Sequence, residues 1–354
     1  MEKVIVVLDS FEYKKKETEI KSYISDVCEP TFVYTKYENF LIHYFQKTKY
    51  IGNILSHLSY WFLSFYYSIV IATRYHHKKY STIIFINPIV GIFFSMLKRI
   101  CHFKKRVTIG GFLFEKKKNR LYLALRKGFV NFSYKQVDKI FVYGKNEIDL
   151  YNQIFPQLYG KFDYVRYGKD FHSTNKTFFS HNKDYICSGG RSNRNYSVLC
   201  QAIKILSKRG ITDDCYVATS PKCVTKTMEN SNVKFIYDIK PEQFGSFIKG
   251  SKLFVLPLLE TNLSAGHMAM LEAMSVMKPI IVSDIPSIRN YVSEQQVFFF
   301  KPNDSQDLAN KILEVLNNIN KECINEKIKK AKELYDTEYS FKALLKRIIT
   351  NSLL

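Results

Sequence analysis

The sequence predicts an α/β protein made of two Rossmann-like, doubly wound parallel-sheet domains. Three observations carry this. Short apolar runs alternate with helical stretches through the first half of the 354 residues. Residues 166–183 (RYGKDFHSTNKTFFSHNK) lose that periodicity and turn polar. The same alternation then restarts. Strands separated by helical crossovers imply parallel pairing. Two such sheets are expected to face each other across a cleft, since open sheets bind ligands beyond the carboxyl ends of their strands.

In the first half, strands are expected at Lys3–Asp9, Thr31–Tyr34, Thr82–Asn87, Arg106–Ile109, Lys139–Tyr143 and Phe162–Val165. Helical stretches lie between most of them, such as Asn119–Ser133 and Asn146–Gln153. In the second half, strands are expected at Tyr185–Gly190, Cys215–Thr219, Val233–Asp238, Lys252–Leu258, Pro279–Asp284 and Val297–Pro302. The run KLFVLPL is almost wholly apolar, as a strand buried on both faces should be. After Asp304 the chain reads as helical to its end. The domains are therefore set at 1–170 and 184–335, joined by a linker at 171–183 and followed by a closing segment, 336–354.

Composition excludes a disordered chain: 46 % of residues are hydrophobic and 24 % charged. The net charge of +21 is concentrated in residues 1–180, which hold 29 Lys/Arg against 14 Asp/Glu. Such a face calls for an anionic partner: a membrane surface, a phosphorylated acceptor or nucleic acid. Seven scattered cysteines, with neither CxxC nor a His at metal spacing, read as reduced thiols of a cytoplasmic protein. The N-terminus lacks the order of a signal peptide. Between Lys49 and Arg74 no charged side chain occurs, and the run includes YWFLSFYYSIVIA. Three readings stay open for it: a domain helix, a helix lying in the bilayer interface, or a span. A second uncharged run, Tyr80–Leu97, is broken by Asn87–Pro88 into strand and helix.

Two segments carry chemistry. In LPLLETNLSAGHMAMLEAMSVMKPIIVSDIPSIRNY (Leu256–Tyr291), a strand leads through a small-residue loop into a helix opening at Gly266–His267 and reaching about Met277. Backbone N–H groups and the positive end of the helix dipole then suit a phosphate. Met270, Ala273, Met274 and Met277 form the apolar stripe, and Glu272 points away from it. Glu272 is either a solvated surface carboxylate or a ligand group. The other segment, SGGRSNRNYSVLCQAIKIL (Ser188–Leu206), ends a strand in Gly189–Gly190 and puts Arg191 and Arg194 in the turn. Guanidinium groups there suit a pyrophosphate.

LEAMSVMKPIIVSD resembles the signature of GT-B glycosyltransferases, especially family 4 and its relatives. Their pattern is Glu, seven residues, then Glu-Ala-Met ahead of a Gly-x-Pro turn. The second Glu, a ribose ligand in that family, matches Glu272; Ser264 stands where the first should be, and Met277 where Gly is usual. The Gly-Arg turn also resembles that family's diphosphate site, with Gly190, Arg191 and Arg194 in the matching places. FKPNDSQDLANKI and TEYSFKALLKRI resemble later segments, the last being a closing helix that commonly packs back on the first domain.

The resemblance implies transfer of a sugar from a UDP- or GDP-linked donor, with no other cofactor and no metal. It is metal-independent by the family's habit, and no DxD motif appears at a strand edge. Donor ligands would be Gly190, Arg191, Arg194, Ser264, Glu272 and the backbone of Gly266, His267 and Met268, with Ile239 reading the base edge. His267, at a helix N-terminus, should be neutral and is either a hydrogen-bonding ligand or a packing residue. Glu260 could replace the missing carboxylate. For the acceptor's proton the candidates are Glu115, after Gly110–Gly111, and Asp9, after the first strand. The acceptor is expected to be a lipid-linked or surface-polysaccharide precursor, met at the inner face of the cytoplasmic membrane through a peripheral basic surface. The other readings are a GT-B-like sugar-nucleotide binder without catalysis and a basic nucleic-acid-binding protein.

Overall fold

The computed structural model describes residues 1–8, 11–35, 51–75, 79–114, 119–171, 185–229, 232–237, 239–261 and 263–354. Asp9, Glu115, Asp238 and all but the first residue of the expected linker 171–183 lie outside them. The chain divides into two units, Met1–Val165 with Leu345–Leu354, and Arg166–Leu344.

The first unit runs β1 (Lys3–Leu8), α1 (Glu17–Ile24), β2 (Glu29–Tyr34), α2 (Ile51–Arg74), β3 (Thr82–Phe85), α3 (Pro88–Cys101), β4 (Arg106–Ile109), α4 (Arg120–Tyr134), β5 (Lys139–Val142), α5 (Lys145–Ile154) and β6 (Phe162–Tyr164). The six strands form one parallel sheet in the order β2-β1-β3-β4-β5-β6. Val4–Leu8 are all buried, so β1 is an interior strand with apolar side chains on both faces. Asn87 ends the expected strand early: it is the N-cap of α3, its side chain accepting from the Ile89 N–H at 3.0 Å, and Pro88 follows at the first helical position.

The uncharged run forms a helix that packs on the first unit through one side. In α2, Ser64 and Ser68 are fully buried, and the Ser68 hydroxyl donates to the Val90 carbonyl of α3 at 3.0 Å. Among the described residues no helix is long and apolar enough to cross a membrane.

The second unit runs β7 (Tyr185–Gly189), α6 (Tyr196–Lys208), β8 (Asp214–Thr219), α7 (Lys226–Glu229), β9 (Val233–Tyr237), α8 (Pro241–Lys249), β10 (Leu253–Leu256), α9 (His267–Ser275), β11 (Ile280–Ser283), α10 (Pro286–Arg289), β12 (Phe298–Phe300), α11 (Ser305–Asn317) and α12 (Glu322–Glu338). A last helix, α13 (Phe341–Leu353), begins in this unit, and its residues from Leu345 on belong to the first. There Lys346 pairs with Asp26 at 2.7 Å and Arg106 donates to the Leu353 carbonyl at 3.2 Å.

The second sheet is also parallel, in the order β12-β11-β10-β7-β8-β9. The winding direction reverses between β7 and β10, which pair directly. That reversal is where an open sheet leaves a crevice at its carboxyl edge. All four residues of β10 are fully buried; each apolar side chain so placed contributes about 1.5–3 kcal/mol.

Helix α9 stops short of the expected Met277. The Lys278 N–H bonds the Ala273 carbonyl at 3.2 Å and the Met277 N–H bonds the Met274 carbonyl at 3.2 Å. This is a Schellman stop, and Met277 occupies its left-handed position at φ 58°. Met277 is thus 47 % exposed and is no part of the apolar stripe. The family's Gly belongs here because only Gly takes this backbone without Cβ strain.

Candidate functional site

Both chemistry-bearing segments leave the carboxyl ends of β7 and β10, on either side of the reversal. The structure zips them together. Arg194 and Leu258 form an antiparallel bridge, the Asn195 N–H bonds the Pro257 carbonyl at 2.9 Å, and the Leu259 N–H bonds the Asn193 carbonyl at 3.0 Å. Residues about 65 positions apart are thereby one surface.

The first turn is built around the Gly190 peptide. Its N–H donates to the Ala218 carbonyl at 3.0 Å, and its carbonyl accepts from the hydroxyls of Tyr196 and Thr219, both at 2.7 Å. Its φ of +118° suits glycine alone, and a Cβ there would lie 2.3–2.6 Å from the Arg194 guanidinium. Arg194 uses this closeness. Its Nε donates to the Gly189 carbonyl at 3.0 Å and its guanidinium to the Ser192 carbonyl at 2.6 Å, so it braces its own turn. Burial lowers its pKa, with the phenol of Tyr196 and the thiol of Cys223 opposing, yet a guanidinium stays charged. Arg191 is exposed on the same turn, and its carbonyl accepts from Cys223 Sγ at 3.2 Å. That thiol is held below its ordinary value: hydrogen bonds from Ser220 and Thr219 and the charge of Arg191 outweigh its desolvation.

The second turn ends at Gly266, the N-cap of α9, with φ +81° and no side chain to cap the helix. A helix start without a side-chain cap leaves first-turn N–H groups for a ligand or water. Met268 is half-exposed there. His267 faces inward. It is buried, its ring stacks on Tyr291 at 4.0 Å, and Nε2 lies 3.1 Å from the Ser287 carbonyl, so Nε2 carries the proton and donates. Burial above all, with the charge of Arg194, holds its pKa at about 4 against the pull of Ser287. The imidazole is neutral, as its helix position predicted, but burial is the larger cause. With Nε2 committed, only Nδ1 remains, as an acceptor. The packing reading is the one its environment favours. Tyr291 in turn stacks on Tyr339 at 5.5 Å, and its hydroxyl oxygen accepts from the Tyr167 N–H at 2.8 Å.

Glu272 is neither solvated nor fully enclosed. It is half-buried on α9, and desolvation raises its pKa to about 7, against the Lys169 charge and a hydrogen bond from the Gly245 backbone. A carboxyl that titrates near neutrality beside a phosphate-ready helix start fits a functional group better than a surface one. Ser264 is half-buried in the loop before Gly266, and Glu260 is exposed. Ile239, after β9, is half-buried and packs against the core cluster that contains Phe247 and Phe254. Among the described residues no grouping of His, Cys, Asp or Glu could hold a metal ion.

The structure brings together Gly190, Arg191, Arg194, Gly266, His267 and Met268 at one edge, with Glu272 on the same helix. It adds Tyr196 and Thr219, which fix the turn, and Lys169 and Gly245, which face Glu272. Tyr196, directly after GGRSNRN at the start of α6, was the most findable of these. Lys169 is one of many lysines in a polar stretch and carries no sequence signal.

The profile of the family described as glycosyl transferases group 1 matches residues 183–318. No curated protein matches the chain by sequence. Solved structures match it in fold. A glycosyltransferase from Rickettsia africae is 12 % identical with a TM-score of 0.61, covering 99 % of this chain and 98 % of that one. Anabaena HepE in complex with UDP-glucose is 11 % identical with a TM-score of 0.61, covering 100 % and 99 %. Staphylococcus aureus TarM, solved with UDP and α-GlcNAc-glycerol, is 15 % identical with a TM-score of 0.56, covering 82 % of this chain and 58 % of that one.

Proposed function

We propose how this chain, a GT-B glycosyltransferase whose residues 183–318 form its group 1 domain, uses its second unit: to hold a nucleotide diphosphate sugar and transfer the sugar without a metal ion. One observation supports this most. Two glycine-built turns, 190–195 and 257–266, are hydrogen-bonded to each other at the sheet's point of reversal. One presents the Arg191 guanidinium and the other an uncapped helix start. Both stabilise negative charge growing on a leaving diphosphate. Arg194, already bonded to its own turn's backbone, positions the turn and adds a half-buried positive charge.

Glu272 accepts from the ribose hydroxyls in its ionised form. Ser264 leaves the sugar with a hydroxyl where relatives have a carboxylate. Ile239 offers its backbone to the base. For the acceptor's proton, Glu115 is preferred to Asp9 as general base. The acceptor is a lipid-linked or saccharide precursor, met where the first unit's basic surface touches an anionic membrane. HepE, solved with UDP-glucose, and TarM, solved with UDP and α-GlcNAc-glycerol, are neighbours that hold a sugar nucleotide or a nucleotide with a glycosylated glycerol.

Release of UDP or GDP from their sugars, measured in excess chelator, tests the reading. Turnover is expected in the wild type. Arg191→Ala and Glu272→Ala are each expected to lower it on the order of a hundredfold. Normal turnover in both would remove these residues from the donor site; a strict requirement for added metal would overturn metal independence.

A further inference from the structure

The first unit carries a surface that its fold does not need. At about 100° per residue, Leu58, Trp61, Phe62, Phe65, Tyr66 and Ile69 of α2 fall within an arc of about 140°. The rest of the helix circumference holds Ser64, Ser68 and Ile71, all fully buried. The arc is nevertheless exposed: Phe62 is 71 % accessible and Leu58 60 %. The neighbouring helices extend it. Trp61 stacks on Phe129 of α4 at 5.8 Å and meets Phe93 of α3 edge-on at 6.0 Å. On α4, Leu121 is 72 % accessible and Leu125 65 %. Between α2 and α3 opens an apolar cavity of about 480 Å³ lined by Ile69, Ala72, Leu97, Cys101 and Phe103. Its hydroxyl, Thr73, is turned back onto the Ile69 and Val70 carbonyls.

Charge decides what covers this face. From Glu38 to Asp138 the sequence holds one acid, Glu115, and 17 Lys/Arg between them. Arg74, Arg99, Lys104 and Arg120 are exposed at the rim, and the Arg99 guanidinium lies over the Phe132 ring at 4.6 Å. A second copy of the chain would bring two such cationic rims together. Nucleic acid stacks on aromatic rings but gains nothing from exposed Leu and Ile side chains. Apolar and aromatic groups within a cationic rim are what a helix lying in an anionic bilayer surface presents.

We propose that the α2–α4 face of the first unit docks on an anionic phospholipid bilayer, with the α2 arc inserted at the level of the headgroups and α2 parallel to the surface. This deepens the membrane-contact part of the reading above and rests on that part alone. Docking also lifts the usual cost of exposed apolar surface on a soluble protein.

Trp61 is the only tryptophan of the chain and lies in the arc, 44 % accessible. Its fluorescence in the full-length wild type therefore reads the face without any variant. Vesicles of phosphatidylglycerol and phosphatidylcholine are expected to shift its emission to the blue, and brominated acyl chains to quench it. Pure phosphatidylcholine vesicles should do either at least tenfold more weakly, and high salt should weaken the anionic case. Leu58→Ser with Phe62→Ser should reduce partitioning at least tenfold. No change of Trp61 with any vesicle overturns the proposal, as does a shift that follows protein concentration without lipid, or added RNA in place of lipid. UDP-sugar binding measured on the same sample separates this failure from that of the donor site.

Discussion

The two units are built by the same rules and put their unsatisfied chemistry in different places. Each has six parallel strands, but the first reverses direction between β1 and β3 and the second between β7 and β10. In the second unit the loops at the reversal carry glycines at positive φ, half-buried Arg194 and an uncapped helix. Among the described residues its exposed large apolar side chains are Tyr237, Leu259, Met268 and Met277; Leu259 on a loop and Met268 at a helix start lie at that same edge, and Tyr237 ends β9 there. In the first unit most of the exposed apolar side chains among the described residues lie instead on the outer faces of helices, above all α2 and α4. The second unit gathers its glycine turns and charged groups at strand ends; the first spreads apolar surface across a helical layer. A small charged ligand is bound by a few fixed donors, whereas an extended surface is met by many weak ones.

The comparison can be broken by substitutions confined to one unit. The largest effect is expected from Gly190→Val, which forces a branched side chain into the space of the Arg194 guanidinium. Donor turnover should fall at least a hundredfold while vesicle binding by the first unit is unchanged, read by nucleotide release and flotation. Equal loss of both would mean that the substitution unfolds the chain rather than the turn.

Glu272 comes next. Its carboxyl titrates at about 7 in the folded chain, so affinity for a UDP- or GDP-sugar should rise between pH 6 and 8 as the carboxylate forms. Glu272→Gln should flatten that rise, measured by titration calorimetry. The same raised pKa works against stability. A carboxyl whose folded value exceeds its unfolded one supports the fold fully only below the unfolded value, and loses that support as pH climbs to about 7. Glu272→Gln should therefore gain about 2 kcal/mol above pH 7 and nothing near pH 4. His267 has the opposite sign. Its folded pKa of about 4 is depressed, so its contribution is present above about 6.5 and is lost as pH falls toward 4. Urea midpoints of Glu272→Gln should consequently rise with pH from 4 to 6.5, where the wild type stays nearly flat.

The smallest effect is at the end of α9. Met277→Gly removes a non-glycine residue from the left-handed position of the Schellman stop and should stabilise the chain by about 1 kcal/mol. An unchanged or lower midpoint would show that the Met277 side chain holds contacts worth as much as the strain.

What was legible in the sequence follows the range of the forces involved. Strands such as β10 and β11 announce themselves as apolar runs, because burial on both faces is a local demand on composition. The turns were legible through Gly190 and Gly266, since positive φ is a demand on one residue. The state of Glu272 was not, because burial raises its pKa, and both that burial and the opposing groups, Lys169 and Gly245, come from the fold and not from neighbours in sequence. Nor was the role of His267, whose proton is fixed by Ser287, twenty residues on. Helical periodicity carried Met277 into the stripe because a left-handed stop leaves no mark on a pattern of apolar residues. The uncharged run of α2 was ambiguous for a similar reason: its length and hydropathy do not reveal that Ser64 and Ser68 are the buried side.

The most direct test of the donor site is calorimetric titration of UDP-glucose and a GDP-sugar into the full-length chain in excess chelator, beside Arg191→Ala and Glu272→Ala. One of the two donors should bind the wild type at a single site, with each variant weakened at least tenfold. Binding of neither donor, or variants that bind as tightly as the wild type, would contradict the assignment of these two turns to the nucleotide diphosphate.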